Sequence, residues 1–439
     1  MNENQNLIIE EKFNLAVKKH QKNDLNEAQD LYKQVLKINP NHASTANNLG
    51  ALFEELGEYQ KAIGFYEKVI KIDSKHINAL NNLGTLFREL KEYQKAKSYL
   101  EKVIEINPKH VDAHNNLGVV HHELKEFQKA INSYEKVIEI NHKHSDALNN
   151  LGVAFKELKE FQKAINSYEK VIEINPKHMD AHNNLGIVFQ ELKEYQKAIN
   201  SYEKVIEINP KHVDAHNNLG IVFQELKEYQ KAINSYEKVI EINPKHVDAH
   251  SSLGFIFKKL EEYQKAKKYY EKAVTINPNN ADAYNNLGVL LKDLGEYQKA
   301  IDCYQKAIEI NPNHSNAYNN FGVVHFHLGE YLKAITFYEK QIEIHADHAD
   351  AYNNLGNVFY EIAKPQKAIK CYKKSIEIRP NYSNVYWNLH ASSSNIDEAL
   401  SILKKLFKID NAHIKAKMTI SILEGYKGNL NMFNELLTS

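Results

Sequence analysis

One 34-residue unit recurs through almost the whole chain, and its clearest copies, 179–212 and 213–246, differ only at their first residue, Met179 against Val213. The phrase Asn-Asn-Leu-Gly sets the register. Its glycine stands at Gly50, Gly84, Gly118, Gly152, Gly186, Gly220, Gly254, Gly288, Gly322 and Gly356, always 34 residues apart. Extended backwards the register reaches Ala16, and extended forwards it reaches His390 in an eroded copy, which gives about twelve copies from Ile9 to His413. A chain of 439 residues ordinarily divides into two or three globular domains, but an array grows by stacking and needs only neighbour contacts. The expected organisation is a tail over 1–8, an array over 9–413 and a partial hairpin or cap over 414–439.

Each copy carries two helical periods and a stop. In 213–246, Ala215, Leu219, Gly220, Phe223 and Leu226 fall on one face at spacings of three, four and seven, which predicts an amphipathic helix. Glu228 then opens a second helix, with Tyr229, Ala232, Ile233, Tyr236, Val239 and Ile240 at helical spacing. Asn243-Pro244 ends it, because proline cannot continue a helix. One repeat is therefore a helix hairpin, and the chain is all-α.

Glycine inside a helix costs about 1 kcal/mol relative to alanine, so its return in ten copies requires a steric reason. Close helix contact supplies one. The second helix has its own small-residue column, running from Ala28 through Ala130, Ala198 and Ala266 to Ala368, where a larger side chain would push the partner helix away. Aromatics such as Phe223 and Tyr236 fill the space around these contacts.

These columns, with Leu-Gly in the first helix, an aromatic before Ala-Ile in the second and Asn-Pro between units, resemble the tetratricopeptide repeat family. The resemblance covers about nine-tenths of the chain. It implies an α-solenoid, a right-handed superhelix of antiparallel helix pairs whose first helices line an inner, concave surface. Ser74, His142 and Ala346 depart from the pattern in place of proline, and Pro365 replaces the aromatic that opens a second helix. Proline is tolerated in a first helical turn, so that unit need not break.

The 56 basic and 56 acidic residues cancel, and no basic cluster stands out, which argues against an electrostatic nucleic-acid or membrane binder. The N-terminus lacks a basic start followed by an apolar core, and no stretch approaches the length of a membrane span. A cytoplasmic protein is the expectation. Cys303 and Cys371 stand two repeats apart in one column, too far for a disulfide, and are expected to be free thiols.

The first helix carries a second set of columns opposite its packing stripe. One is an asparagine ladder, Asn14, Asn48, Asn82, Asn116, Asn150, Asn184, Asn218, Asn286, Asn320, Asn354 and Asn388, interrupted only by Ser252. A carboxamide donates and accepts hydrogen bonds, so evenly spaced amides can hold the backbone of an extended peptide without reading its side chains. The competing reading is that these amides bond within or between repeats. Beside the ladder run a second asparagine column from Asn47 to Asn353, an aspartate column that includes Asp180 and Asp214, glutamates such as Glu191 and Glu225, and a thin apolar strip with Val119, Val153, Ile187, Ile221, Val289 and Val323. Such a face suits an extended polar or basic segment. The carboxylates equally suit the start of a helix.

The ladder resembles the one lining the repeat arm of O-linked N-acetylglucosamine transferases, where the asparagines hold substrate backbone. The family's carboxylate-clamp members place lysine, arginine and a further asparagine where this chain has Asn, Asp and Val or Ile, so recognition of a C-terminal carboxylate is disfavoured. The first expectation is thus a scaffold for protein or peptide partners, using Asn48, Asn82, Asn116, Asn150, Asn184, Asn218, Asn286, Asn320, Asn354, Asp180, Asp214, Ile187 and Ile221. The alternative is the substrate-recognition arm of a glycosyl-, sulfo- or methyltransferase system whose catalytic domain is not in this chain.

Histidine pairs four apart, His110/His114, His178/His182, His212/His216 and His246/His250, invite a zinc reading. The first of each pair lies in the inter-repeat turn, and the second shares a column with Leu80, Leu148, Tyr284, Tyr318 and Tyr352, which marks packing. No metal and no cofactor are expected. No phosphate-binding glycine loop, nucleophile elbow or His-Glu-x-x-His is present, so no enzyme activity is expected either. After Asn388 the pattern erodes, Ala399 arrives three residues early, and the array should kink or finish there. The stretch 414–439 reads as a helix, a break at Lys427-Gly428 and a short helix ending on Phe433 and Leu437, an apolar end suited to docking or self-association.

Overall fold

A computed structural model describes residues 3–426, and every element among them is a helix. The chain divides into two compact units, Met1–Val222 and Phe223–Ser439. The first opens with the hairpin Glu3–Gln21 and Leu25–Ile38, followed by hairpins such as Val111–Glu123 with Phe127–Ile140 and Met179–Glu191 with Tyr195–Ile208. The second contains the same unit, as in Val247–Lys259 with Tyr263–Ile276 and Ala281–Asp293 with Tyr297–Ile310. This is the all-α solenoid of helix hairpins that the 34-residue period predicts.

Local chemistry sets each boundary. The first helix of the sixth copy ends on Leu192, and the next residue, Lys193, adopts a left-handed φ of 60°. Glu194 N–H then reaches back to the Phe189 carbonyl at 2.8 Å and closes the helix end. Gly57, Gly295 and Gly329 fill the same turn at φ 73–75°, where glycine has no Cβ to oppose it. The second helix of the fifth copy, Phe161–Ile174, is closed by Asn175, whose side-chain oxygen accepts from Lys177 N–H at 3.1 Å, and Pro176 prevents continuation. Pro365 stands at the first position of Pro365–Ile378, where its missing N–H costs nothing.

The glycine column is explained by one contact. A Cβ built on Gly186 would lie 2.5 Å from Cε1 of Tyr202, and one on Gly118 would lie 2.4 Å from Cε1 of Tyr134. Both tyrosines are buried, so the ring of the second helix rests directly on the backbone of the first. Gly84 meets Leu100 in the same way at 2.6 Å. Ala16, fully buried, takes the glycine position in the opening hairpin.

Two expectations about the ends change. The first helix begins at Glu3, so most of the tail expected over 1–8 is helical, since no proline or glycine interrupts residues 3–8. The eroded copy is shortened to Ser383–Ala391 but still pairs with Ile396–Ile409. Val385, Leu389 and Ile402 join the core that contains Tyr372, so the packing does not finish at Asn388. Of the C-terminal segment, Ile414–Tyr426 is a helix with Ile414, Met418 and Ile422 exposed; the break at Lys427-Gly428 and the helix through Phe433 and Leu437 lie outside the described residues.

Candidate functional site

The first helices carry the ladder on the face away from their buried stripe. In Met179–Glu191 the buried residues are Ala181, His182, Leu185, Gly186, Val188 and Phe189. Asp180, Asn184, Ile187 and Glu191, at spacings of four, three and four, share the opposite stripe. Asp180 and Glu191 are exposed, and Asn184 and Ile187 are half-buried. Asp214, Asn218 and Ile221 repeat the arrangement one copy later.

The ladder amides are stitched from repeat to repeat. Asn82 donates to Asn47 at 3.4 Å, Asn184 to Asn149 at 3.2 Å and Asn218 to Asn183 at 3.4 Å. In the second unit Asn320 donates to Asn285 at 2.9 Å, Asn354 to Asn319 at 3.0 Å and Asn388 to Asn353 at 3.0 Å. The two asparagine columns are therefore coupled, these six ladder amides each binding the flanking amide of the preceding copy. Asn116 departs from this: it donates to Thr85 Oγ1 at 3.1 Å and accepts from Arg88 at 2.6 Å. Asn48 and Asn286 each accept at 3.5 Å from their own neighbours, Asn47 and Asn285, and Asn150 has no side-chain partner among the described residues. A primary amide has two N–H donors and two acceptor lone pairs, so Asn184 and Asn218 keep one donor and their acceptor, while Asn388 spends a second donor bond on Asn357 at 3.0 Å.

The aspartate column divides. Asp180 and Asp214 are exposed in the first turn of their helices, where the unpaired backbone N–H groups favour negative charge. Asp282 instead receives His314 Nε2 at 3.1 Å, and Asp350 is gripped by both Arg379 nitrogens at 2.9 and 3.2 Å.

The histidine pairs are occupied by the backbone. Nδ1 of His110, His178, His212 and His246 accepts from the N–H three residues on, at 3.1–3.2 Å, and so caps the first helix. Nε2 of His114, His182, His216 and His250 pairs with the carbonyl of the turn proline at 2.9–3.1 Å. The packing position thus also carries a hydrogen bond, which the column of Leu and Tyr did not suggest. Among the described residues no group of three His, Cys, Asp or Glu could hold a metal ion, and no helix is long and apolar enough to cross a membrane. Cys303 and Cys371 are free thiols, and burial pushes both up to about 11, which makes them poor nucleophiles at neutral pH.

Reading by columns passed over one feature. In Val247–Lys259 the stripe is Asp248, Ser252, Phe255 and Lys259, so three of its four positions differ from Asp180, Asn184, Ile187 and Glu191. The signal was the break at Ser252 itself.

No curated protein matches the chain. Among solved structures it is similar to yeast Tom70, with 12% identity, coverage of 92% of this chain and 96% of that chain, and a TM-score of 0.46. It is also similar to the Cut9–Hcn1 hetero-tetramer of APC/C, with 15% identity, coverage of 93% and 95%, and a TM-score of 0.46. A third similar structure is YrrB, a TPR protein with an unusual peptide-binding site, with 27% identity, coverage of 44% and 98%, and a TM-score of 0.37. Sequence patterns of the tetratricopeptide repeat match residues 12–75, 42–109, 76–143, 145–178, 177–245, 247–280, 281–314 and 314–381. With the matches running from residue 12 to residue 381, the chain belongs to the tetratricopeptide repeat family.

Proposed function

We propose that the protein is a non-enzymatic interaction scaffold that holds an extended segment of a protein partner on its asparagine-lined face. The observation that carries this reading is the stitching of the ladder. One hydrogen bond to the preceding copy fixes the orientation of Asn82, Asn184, Asn218, Asn320, Asn354 and Asn388, and half-buried Asn184 and Asn218 keep a second donor and an acceptor for a ligand. A fixed amide loses little freedom when a peptide backbone binds it. Exposed Asp180, Asp214 and Glu191 and the strip through Ile187 and Ile221 add charge and modest apolar contact, which favours a polar or basic segment. Near-identical copies suit a ligand held by many weak contacts.

The test is capture of partners from native lysate with the intact chain and with a variant carrying Asn150→Ala, Asn184→Ala and Asn218→Ala. Capture should fall at least about tenfold, because three amide contacts of roughly 0.5–1.5 kcal/mol each are removed. Those substitutions also break two stitches. A control carrying Asn149→Ala and Asn183→Ala removes the same stitches from the acceptor side and keeps the ladder. Equal capture by the ladder variant, or equal loss by the control, contradicts the reading. A substrate-presenting arm would use the same face, and recovery of a transferase among the captured proteins identifies that case.

A further inference from the structure

The repeat that interrupts the ladder builds a different surface. Ser252 takes the ladder position and leaves space where an amide would stand. Phe255 is the one aromatic in a column otherwise held by Val17, Ala51, Thr85, Val119, Val153, Ile187, Ile221, Val289, Val323 and Asn357, and it is 38% exposed. Lys259 replaces the glutamate of Glu89, Glu123, Glu157 and Glu191. Phe255 and Lys259 border a hollow of about 430 Å³ within the second unit, whose other walls include Tyr263, Tyr270, Asn286, Lys258 and Asp293.

The charges in this hollow are specific. Asp293 is shared by two cations, Lys258 at 2.7 Å and Lys292 at 3.0 Å. Burial pushes its carboxyl up, but the two ammonium groups outweigh this and hold it below its ordinary value. Lys259 has no ion-pair partner among the described residues; its ammonium lies 5.5 Å from the centre of the Phe255 ring. Glu261 contributes a carboxylate to the rim. Of the two lysines that line the hollow, Lys258 is paired with Asp293 and Lys259 is left over, at the position where Met179–Glu191 presents Glu191.

We propose that this hollow is an anchor site for an apolar, preferably aromatic, side chain next to a carboxylate in the bound segment. Phe255 and Tyr263 receive the ring, Lys259 receives the carboxylate, and the Asn286 amide holds the backbone beside them. Repeated identical surfaces cannot fix where along a peptide binding begins, whereas one unlike surface can. The inference rests on the reading of the asparagine-lined face as a peptide site and adds what sets its register.

The probe is a fluorescein-labelled Gly-Ser peptide with a central Phe-Glu pair, followed by fluorescence anisotropy with the full chain. The same peptide with Phe-Lys or Ala-Glu at the centre is the comparison. The intact chain should bind Phe-Glu about fivefold tighter than either, the ratio of one exposed charge or ring contact. Lys259→Glu should reverse the order of Phe-Glu and Phe-Lys, and Phe255→Val, the residue common in that column, should remove the preference over Ala-Glu. Circular dichroism confirms that both variants remain helical. Equal binding of all three peptides, or an order unchanged by Lys259→Glu, overturns the anchor site. If that equal binding is lost in the Asn150, Asn184 and Asn218 variant, the face reading survives without it. If no peptide binds, the anchor site is overturned and the lysate capture alone decides the face reading.

Discussion

Replacing Tyr202 by alanine is expected to destabilise its hairpin by about 3–5 kcal/mol, the cost of removing a buried aromatic ring. Tyr202 is fully buried, its ring lies against the backbone of Gly186, and its hydroxyl donates to Gln190 at 3.1 Å. No neighbour can follow the ring into the void, because a helix bearing glycine at the contact has no side chain to offer. Tyr202→Phe keeps the ring and loses the bond to Gln190, so its cost should be only about 0.5–1.5 kcal/mol. Amide hydrogen exchange is the suitable readout, since a long array need not unfold as one unit and a single unfolding free energy is then poorly defined. Exchange should accelerate in 179–208 and its neighbours in the alanine variant and change little in the phenylalanine variant. Similar exchange in both variants would show that the ring is not what holds the two helices together.

Acidification is the second large effect. Nδ1 of His42, His76, His110, His144, His178, His212, His246, His314 and His413 caps a helix by accepting a backbone N–H. Protonation of His42 removes its acceptor and puts a positive charge at the positive end of the helix Ala43–Glu55. Burial pushes His42, His121 and His250 below the ordinary imidazole value of 6.5, in the same direction. The folded state therefore binds these protons less readily than the unfolded chain. Its stability is full above about pH 6.5 and is lost as pH falls through the lower folded values. Hydrogen bonds from His121 and Lys129 hold Glu126 down to about 2, and Glu330 is also held low, first by Lys333 and then by His325, whereas burial raises Glu54.

With the His42 cap worth roughly 1 kcal/mol and His121 and His250 held low in the same way, the array should lose stability between pH 7.5 and 5. Thermal melts followed by circular dichroism at the two pH values measure this. Asn280 caps the helix Ala281–Asp293 in the same column without a titrating group. A variant with His42→Asn should accordingly show a smaller pH dependence. Equal melting at both pH values would contradict the cap assignment.

The hairpin was legible because the signals that encode it are local. Pro176 stops a helix, Ala198 permits a close approach, and Gly186 demands a neighbour that tolerates no Cβ. The identity of that neighbour, Tyr202, follows from the rotation of one helix about the other, which the period alone does not specify. The ladder was equally plain as a column. That Asn184 bonds to Asn149 was not, because a bond between residues 35 apart depends on how successive hairpins are staggered. His178 was placed in the turn but not recognised as a cap; Asn280 in the same column was the available clue, since asparagine is a usual capping residue. Phe255 and Lys259 were missed because averaging over repeats suppresses the repeat that differs.

The central claim is that partners lie on the asparagine-lined face. A photoreactive benzoylphenylalanine at position 187, on the ladder stripe, is compared with one at Glu203, exposed on the second helix of the same hairpin, in cells or native lysate. The account predicts strong crosslinking of a partner from position 187 and little from position 203. Crosslinking mainly from position 203, with none from position 187, would place the partner on the second helices and contradict it.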